Sequence, residues 1–174
     1  MKHTEYALAE SSPSERVHTV GIGEMKIVSW EDSWIVTHAL GSCLGITIHD
    51  PVAKVSGMVH VMLPLSRIDP LKARRKPGVF VDTGVSMLFS EAYRMGARKD
   101  RIILKVAGGS KILDRNGRFE IGRRNYSALR KLLWKNGILI EAKDVGGALS
   151  RTMALHAESG VVEVRSSNGK KWFL

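Results

Sequence analysis

Cysteine is almost absent from this chain: Cys43 is the only one among 174 residues. One cysteine cannot form an internal disulfide, so nothing in the composition requires an oxidising compartment. The N-terminal residues carry charges and a Ser/Pro cluster where a secretory signal would need a continuous apolar segment. We therefore expect the protein to lie in the cytoplasm, where a single thiol stays reduced.

Long apolar runs are missing too. No stretch approaches the ~20 apolar residues that span a bilayer, so we predict no membrane insertion. The sequence also has no internal repeat and no low-complexity tract. Its length fits one domain, because single cores commonly extend to about 100–200 residues. We predict a polar, weakly ordered segment over residues 1–20 and a single folded domain over residues 21–174.

Positive charge is in excess, with 27 Lys and Arg against 17 Asp and Glu and a formal net charge of +10. Such an excess raises the question of a polyanionic partner. The densest basic cluster, residues 67–76, has no aromatic side chain that could stack on bases, which argues against nucleic acid. We predict a mobile basic loop that either docks on an acidic protein surface or is merely solvated. The candidate docking residues are Arg67, Lys72, Arg74 and Arg75.

Apolar periodicity predicts an α+β fold. Period-two patterns in the first half and interspersed in the second indicate strands. Apolar positions three and four residues apart, each closed by a glycine, indicate two main helices, over residues 82–96 and 122–137. The β-rich N-terminal half and these two helices define the predicted fold class. The predicted strands cover residues 25–29, 34–40, 44–49, 57–63, 101–107, 138–145, 151–155 and 161–165.

The environment of Cys43 carries the strongest chemical signal. Cys43 lies in a Gly-Ser-Cys-Leu-Gly segment after an apolar strand, and His60 follows on a neighbouring strand. A thiol reacts as thiolate, and a nearby imidazole is the usual means of producing one at neutral pH. The pattern therefore suggests a cysteine hydrolase. The alternative is that Cys43 is a small buried apolar residue and His60 a hydrogen-bonded core histidine.

The glycines around Cys43 allow two interpretations. Gly-x-Cys-x-Gly resembles a nucleophile elbow, but an elbow leads into a helix, whereas residues 44–49 alternate as a strand. We therefore reject an α/β-hydrolase. The small neighbours would still let a substrate approach the backbone N–H groups of Ser42 and Cys43, our candidates for an oxyanion hole. The alternative is a tight turn between strands.

Metal and phosphate sites are not predicted. Cys43, His49 and His60 are possible ligands, but the closely spaced pairs typical of zinc sites do not occur. Gly108-Gly109-Ser110-Lys111 lacks the glycine spacing of a phosphate-binding loop and is better explained as a turn. We expect neither a metal nor a cofactor.

A family resemblance extends well beyond the cysteine. The chain resembles the CheD family of chemoreceptor glutamine deamidases from about residue 20 to residue 165. Two departures are Phe80, where the family often has tyrosine, and Gly84, where it often has alanine. The blocks that carry the resemblance are THALGSC at 37–43, DP at 50–51, GMVHVMLP at 57–64, FVDTG at 80–84, KVAGG at 105–109, FEIGRRN at 119–125, EAKDVGG at 141–147 and RT at 151–152.

The resemblance implies a fold, an activity and a catalytic set. The fold is similar to the catalytic domain of the cytotoxic necrotizing factor toxins, with mixed β-sheets flanked by helices. The implied activity is deamidation of glutamine to glutamate on chemoreceptor helices, with hydrolysis of glutamyl methyl esters as a further activity. The implied catalytic residues are Cys43 as nucleophile, His60 as base and Thr37 as the group that orients the imidazole. His38 and His49 stay open as alternative bases.

The resemblance also implies a partner. Family members are expected to pair with a CheC-type phosphatase, so the chain is alternatively a non-catalytic regulatory partner of such a phosphatase in chemotaxis signalling. Both roles are compatible with a cytoplasmic protein. Replacing Cys43 separates them, because binding does not need the thiol and deamidation does.

Overall fold

Two β-sheets and three α-helices make up the part of the protein that the computed structural model describes, residues 16–111 and 120–174. The strands are β1 (Arg16–Thr19), β2 (Met25–Ser29), β3 (Ser33–Leu40), β4 (Leu44–Asp50), β5 (Val55–Val61), β6 (Ile103–Gly108), β7 (Ala142–Val145), β8 (Arg151–His156), β9 (Val162–Ser166) and β10 (Lys171–Phe173). The helices are α1 (Pro70–Arg75), α2 (Val81–Arg94) and α3 (Ile121–Lys135).

Each sheet has five strands and one parallel pair. The first sheet has the order β1-β3-β8-β9-β10, and the second has the order β2-β5-β4-β6-β7. Strands β1 and β3 run parallel, as do β6 and β7, while the other neighbours are antiparallel. Both sheets are therefore mixed, and the predicted α+β class with mixed sheets and two main helices is confirmed.

The second sheet is covered on both faces. Every residue of β4 and β5 is buried, which explains their nearly continuous apolar sequence. Ile46 and Val59 belong to the core between this sheet and helices α2 and α3. Met58 belongs to a second core with residues of the first sheet, among them Ile35 and Met153. Because side chains alternate along a strand, odd positions of β4 and even positions of β5 face the first sheet.

Helices α2 and α3 cover the outer face of that sheet. Their buried positions follow the predicted periodicity, and each ends just before a glycine with a positive φ, Gly96 at 94° and Gly137 at 64°. The exposed face of α3 is basic. No helix within residues 16–111 and 120–174 is long and apolar enough to cross a membrane.

The basic cluster differs from the predicted mobile loop. Residues 66–68 form a 3₁₀ turn, and helix α1 follows. The side chain of Asp69 accepts a hydrogen bond from the backbone N–H of Lys72, and Pro70 occupies the first helical turn. Both features favour a helix start, because they satisfy or remove orphan N–H donors. The cluster is therefore ordered, although no residue of α1 is buried.

Three strand predictions also differ from the structure. Strand β1 lies within the segment 1–20 that we predicted to be weakly ordered, and it pairs in parallel with β3. Residues 1–15 lie outside the described part of the chain, as does Phe119 of the quoted motifs. Strand β10 was not predicted, and β7 begins four residues later than the predicted strand 138–145. These edge strands are short and partly exposed, so their sequences carry little periodicity.

Candidate active site

The segment Gly41–Cys43 connects β3 of the first sheet with β4 of the second. It therefore crosses from one sheet to the other at their common end. Cys43 is 8% exposed and packs at the edge of the core between the sheets. The crossing takes only three residues, two of which, Gly41 and Ser42, are small.

All three carbonyl groups of this segment are held by hydrogen bonds. Gly41 O accepts from the N–H of Ser110 at 2.8 Å, and Cys43 O accepts from the N–H of Gly109 at 2.8 Å. Ser42 O accepts from the side-chain amide of Asn125 at 3.0 Å. The loop after β6 and helix α3 thus fix the backbone on which Cys43 lies.

Gly108 makes this close approach possible. Its φ is +112°, and a Cβ atom there would lie 2.2 Å from the carbonyl oxygen of Cys43. Any side chain would push the cysteine segment away from β6. The turn that the sequence predicted at residues 108–111 is therefore a support for the cysteine segment, which no local signal indicated.

The register of β4 and β5 brings His60 towards Cys43. Gly45 is directly opposite His60, and both point at the first sheet. Cys43 lies one residue before β4 and packs in the core between the sheets together with Met58, on the side to which His60 points. A Cβ at Gly45 would lie only 3.0 Å from Leu40 and Met153, so glycine at this position lets side chains of the first sheet pack closely on β4.

Thr37 reaches across from β3 to His60. The hydroxyl of Thr37 donates a hydrogen bond to the backbone carbonyl of Val20 at 2.7 Å and lies 2.8 Å from Nδ1 of His60. Its single proton is used on the carbonyl, so the hydroxyl oxygen accepts from Nδ1–H of the imidazole. In this tautomer Nε2 carries the lone pair, as a general base requires.

Nε2 of His60 is free for that role. It is buried and has no hydrogen-bond partner among the residues that the structure describes. Burial lowers the pKa of His60 to about 4. Burial likewise raises the pKa of the Cys43 thiol, an effect that its own backbone N–H partly opposes. At neutral pH the pair is therefore a thiol and a neutral imidazole, so proton transfer must accompany attack on a substrate.

The other histidines lie elsewhere. His38 is exposed on β3, and its nearest recorded partner is the hydroxyl of Thr152 at 3.5 Å. His49 is buried six residues beyond Cys43, with its Nδ1 on Ser56 at 2.7 Å. Residues 16–111 and 120–174 contain no group of three or more His, Cys, Asp or Glu side chains that could hold a metal ion.

The backbone N–H groups of Ser42 and Cys43 have no backbone acceptor within the described part of the chain.

The predicted docking residues are exposed on the segment that follows β5, and within the described residues no hydrogen bond connects them with Cys43 or His60. Sequence reasoning assigned no role to Asn125 or to the carbonyl of Val20. Asn125 occurs in a family motif, but a polar residue within a helix gives no local signal of what it holds.

The family model for CheD chemotactic sensory transduction matches residues 62–166. This range begins two residues after His60 and includes Asn125. The range covers more than half of the chain and includes most of the later blocks that carry the resemblance.

Curated relatives match over most of their length. "Probable chemoreceptor glutamine deamidase CheD 1" of Syntrophus aciditrophicus is 44% identical over 150 residues, 86% of this chain and 94% of that protein. "Chemoreceptor glutamine deamidase CheD" of Thermotoga maritima is 40% identical over 150 residues, 86% and 92% of the two chains. Among solved structures, the hypothetical protein YfiH of Bacillus licheniformis aligns with TM-score 0.44 and 14% identity over 78% of this chain and 61% of its own.

Proposed function

This chain belongs to the CheD family, and from that premise we propose that Cys43, His60 and Thr37 carry out the deamidation of glutamine side chains on chemoreceptors. The observation that carries the proposal is the hydrogen-bond chain from Val20 O through the Thr37 hydroxyl to Nδ1 of His60. It leaves Nε2 as an unprotonated base on the face of the sheet that Cys43 shares.

The reaction proceeds through a thioester. As Cys43 Sγ attacks the carboxamide carbon of the glutamine, His60 Nε2 takes the thiol proton. The imidazolium then gives that proton to the nitrogen of the tetrahedral intermediate, ammonia leaves, and an acyl-enzyme forms. Water, deprotonated by Nε2, attacks the thioester, and the returning proton regenerates the thiol as glutamate departs. A glutamyl methyl ester follows the same course with methanol as the leaving group.

The tetrahedral intermediates carry a negative oxygen that needs hydrogen-bond donors. We assign that role to the backbone N–H groups of Ser42 and Cys43, which have no backbone acceptor among the described residues. Their carbonyls point to fixed partners on Asn125 and Gly109, so the segment keeps one conformation. Loss of one such donor typically costs ~3 kcal/mol of barrier.

Basic residues on the surface would hold an acidic receptor helix. Arg67 lies on one wall of a surface cleft whose other wall is the basic face of α3, including Arg123 and Lys131. Lys72, Arg74 and Arg75 lie on exposed α1. Attraction between these cations and an acidic helix predicts a KM for the receptor that rises with salt.

The cytoplasm and a CheC-type phosphatase are the compartment and partner that fit this activity. Pairing with the phosphatase does not require the thiol. A pull-down with the Cys43→Ala protein tests it, since loss of binding in that variant would contradict a separate regulatory surface.

The decisive experiment measures deamidation of a purified chemoreceptor cytoplasmic fragment by mass spectrometry and by ammonia release. Cys43→Ala should lower the rate by at least about 10³-fold, because loss of a nucleophile removes the covalent path. Ser86→Ala is the matched control, since its hydroxyl lies on the exposed face of α2 and donates only to Asp82 O among the described residues. Ammonia release that survives Cys43→Ala in a folded protein would contradict the mechanism.

A further inference from the structure

Asn125 is a fully buried amide on the inner face of α3. It is 0% exposed and lies one and two turns before the core residues Leu129 and Leu133. Asparagine is a weak helix former, and a buried amide without partners is costly. An apolar residue would make the fold more stable at this position unless the amide forms hydrogen bonds that the site needs.

The amide holds the nucleophile segment and the strand of the base at once. Nδ2 of Asn125 donates to Ser42 O at 3.0 Å and to Met62 O at 2.9 Å. Both partners are carbonyl oxygens, which fixes the nitrogen as the group that faces them. Ser42 precedes the nucleophile, and Met62 lies two residues after His60. One side chain therefore links the two elements that carry the reacting groups.

The bond to Ser42 O also sets the direction of an N–H group. In a planar trans peptide the C=O and the following N–H point in opposite directions. The peptide between Ser42 and Cys43 is not cis. Since its carbonyl points at α3, the N–H of Cys43 points away from the helix, and this N–H lowers the pKa of the thiol in opposition to burial.

We propose that Asn125 is a positioning residue that holds the Ser42–Cys43 peptide so that the N–H of Cys43 is aimed at the oxyanion formed beside Sγ. The inference rests on the proposed deamidase function. This role differs from a packing role, because it affects only the step in which the carbonyl oxygen of the substrate becomes negatively charged. It should matter little to reactions of the thiol that form no oxyanion.

Two reactions of Cys43 separate these roles. Deamidation passes through an oxyanion, whereas alkylation by iodoacetamide displaces iodide and does not. Asn125→Ala should lower kcat about 10²-fold with little change in KM, the usual effect of losing one oxyanion donor. The rate of iodoacetamide alkylation should stay within about threefold of the wild-type rate, because access to the thiol and its burial, the larger influence on its pKa, are kept.

The matched control is Asn136→Ala. Asn136 lies at the end of the same helix, and its Nδ2 also donates to a backbone carbonyl, Leu132 O at 2.8 Å. This variant should keep wild-type kcat. If Asn125→Ala does not fold, Asn125→Ser, which leaves a short donor in the same space, carries the same two measurements and should lower kcat alone.

Three results would overturn the proposal. These are unchanged kcat in the Asn125 variants, an equal loss of deamidation and alkylation, and a loss of kcat in Asn136→Ala as large as that in Asn125→Ala. Wild-type and Cys43→Ala proteins, assayed in parallel, tell this failure from that of the proposed function. If the wild type shows no Cys43-dependent deamidation, the proposed function and the role of Asn125 are both wrong. If it shows such deamidation, the Asn125 variants test the role of Asn125 alone.

Discussion

Two buried histidines on neighbouring strands of the second sheet are held by almost the same device. His60 on β5 bonds through Nδ1 to Thr37, whose hydroxyl donates to Val20 O at 2.7 Å. His49 on β4 bonds through Nδ1 to Ser56, whose hydroxyl donates to Ala157 O at 2.6 Å. Both hydroxyls spend their proton on a carbonyl, so both imidazoles have the same tautomer.

Their surroundings differ. His60 lies opposite Gly45, and its Nε2 has no hydrogen-bond partner among the described residues. The ring of His49 is covered by Gly160, where a Cβ would lie 2.4 Å from it. Burial lowers the pKa of both rings, and for His49 the charge of Lys54 lowers it further. A hydroxyl–histidine pair is thus not by itself a catalytic signature. Position along β4 distinguishes the candidate site, since His60 lies opposite Gly45, two residues from the thiol, whereas His49 is six residues from it.

Replacing each histidine by alanine should give the largest difference between the two histidine sites. His60→Ala should lower kcat/KM for deamidation by about 10³-fold or more, because a general base typically contributes 10²–10⁴-fold. His49→Ala should keep kcat/KM within about threefold and lower the free energy of unfolding by about 1–3 kcal/mol, since it leaves a buried cavity. Steady-state kinetics and urea denaturation measure the two effects. Equal losses of kcat/KM in the two variants would contradict a special role for His60.

Removing the hydroxyls should give the next largest difference. Thr37→Val keeps the shape of the side chain but frees the imidazole to change tautomer, so we expect kcat to fall about 10²-fold. Ser56→Ala should leave kcat within about twofold, because His49 takes no part in the reaction.

Thr47→Val is a second control for the threonine. Thr47 is equally buried, and its hydroxyl bonds Lys105 O at 3.3 Å but no histidine. Its kcat should match that of the wild type. A fall in kcat as large as that of Thr37→Val would show that any buried polar deletion in this sheet impairs the enzyme.

The smallest expected effect is on the pH dependence of kcat/KM. With its pKa lowered by burial to about 4, His60 is already unprotonated well below its ordinary value of 6.5. The acid limb of kcat/KM should therefore lie near pH 4, because kcat/KM reports the free enzyme. An acid limb near pH 6.5 would contradict a buried, neutral base.

Stability follows the same pKa. The unfolded chain binds protons on His60 more readily than the folded one, so this contribution is complete above pH 6.5 and is lost as the pH falls towards 4. It amounts to about 3 kcal/mol at most. The pKa of His49 is also lowered, chiefly by burial. Urea denaturation between pH 4 and 7 should show a flatter pH dependence in His60→Gln than in the wild type, and an unchanged slope would contradict this account.

Strands and helices were predictable where the chain is amphipathic or fully buried. Strands β2 to β6 and helices α2 and α3 lie within a few residues of their predicted bounds, because alternation and glycine stops are local signals. Strand β1 was missed because its four residues are partly exposed and depend on β3 for pairing. Helix α1 was missed although Asp69 and Pro70 signal a helix start, since the basic composition pointed to a loop.

The residues of the candidate site were also only partly predictable from the sequence. Cys43 and His60 stand out as residue types in a suggestive segment, and Thr37 entered only through the family resemblance. Their catalytic roles stay predictions that the variants above test. Asn125 had no role, because its two partners are 83 and 63 residues away along the chain.

The sequence by itself determined the α+β class, the family and the presence of one thiol with a histidine on a nearby strand. Those properties depend on local periodicity and on ordered motifs. The tertiary structure decided which of two similarly bonded histidines lies nearer to the thiol. It also decided which ring nitrogen of each histidine carries the proton. It also decided which carbonyls Asn125 binds. These are contacts between sheets and across helix α3, and a hydrogen bond between distant residues leaves no trace in the spacing of either one.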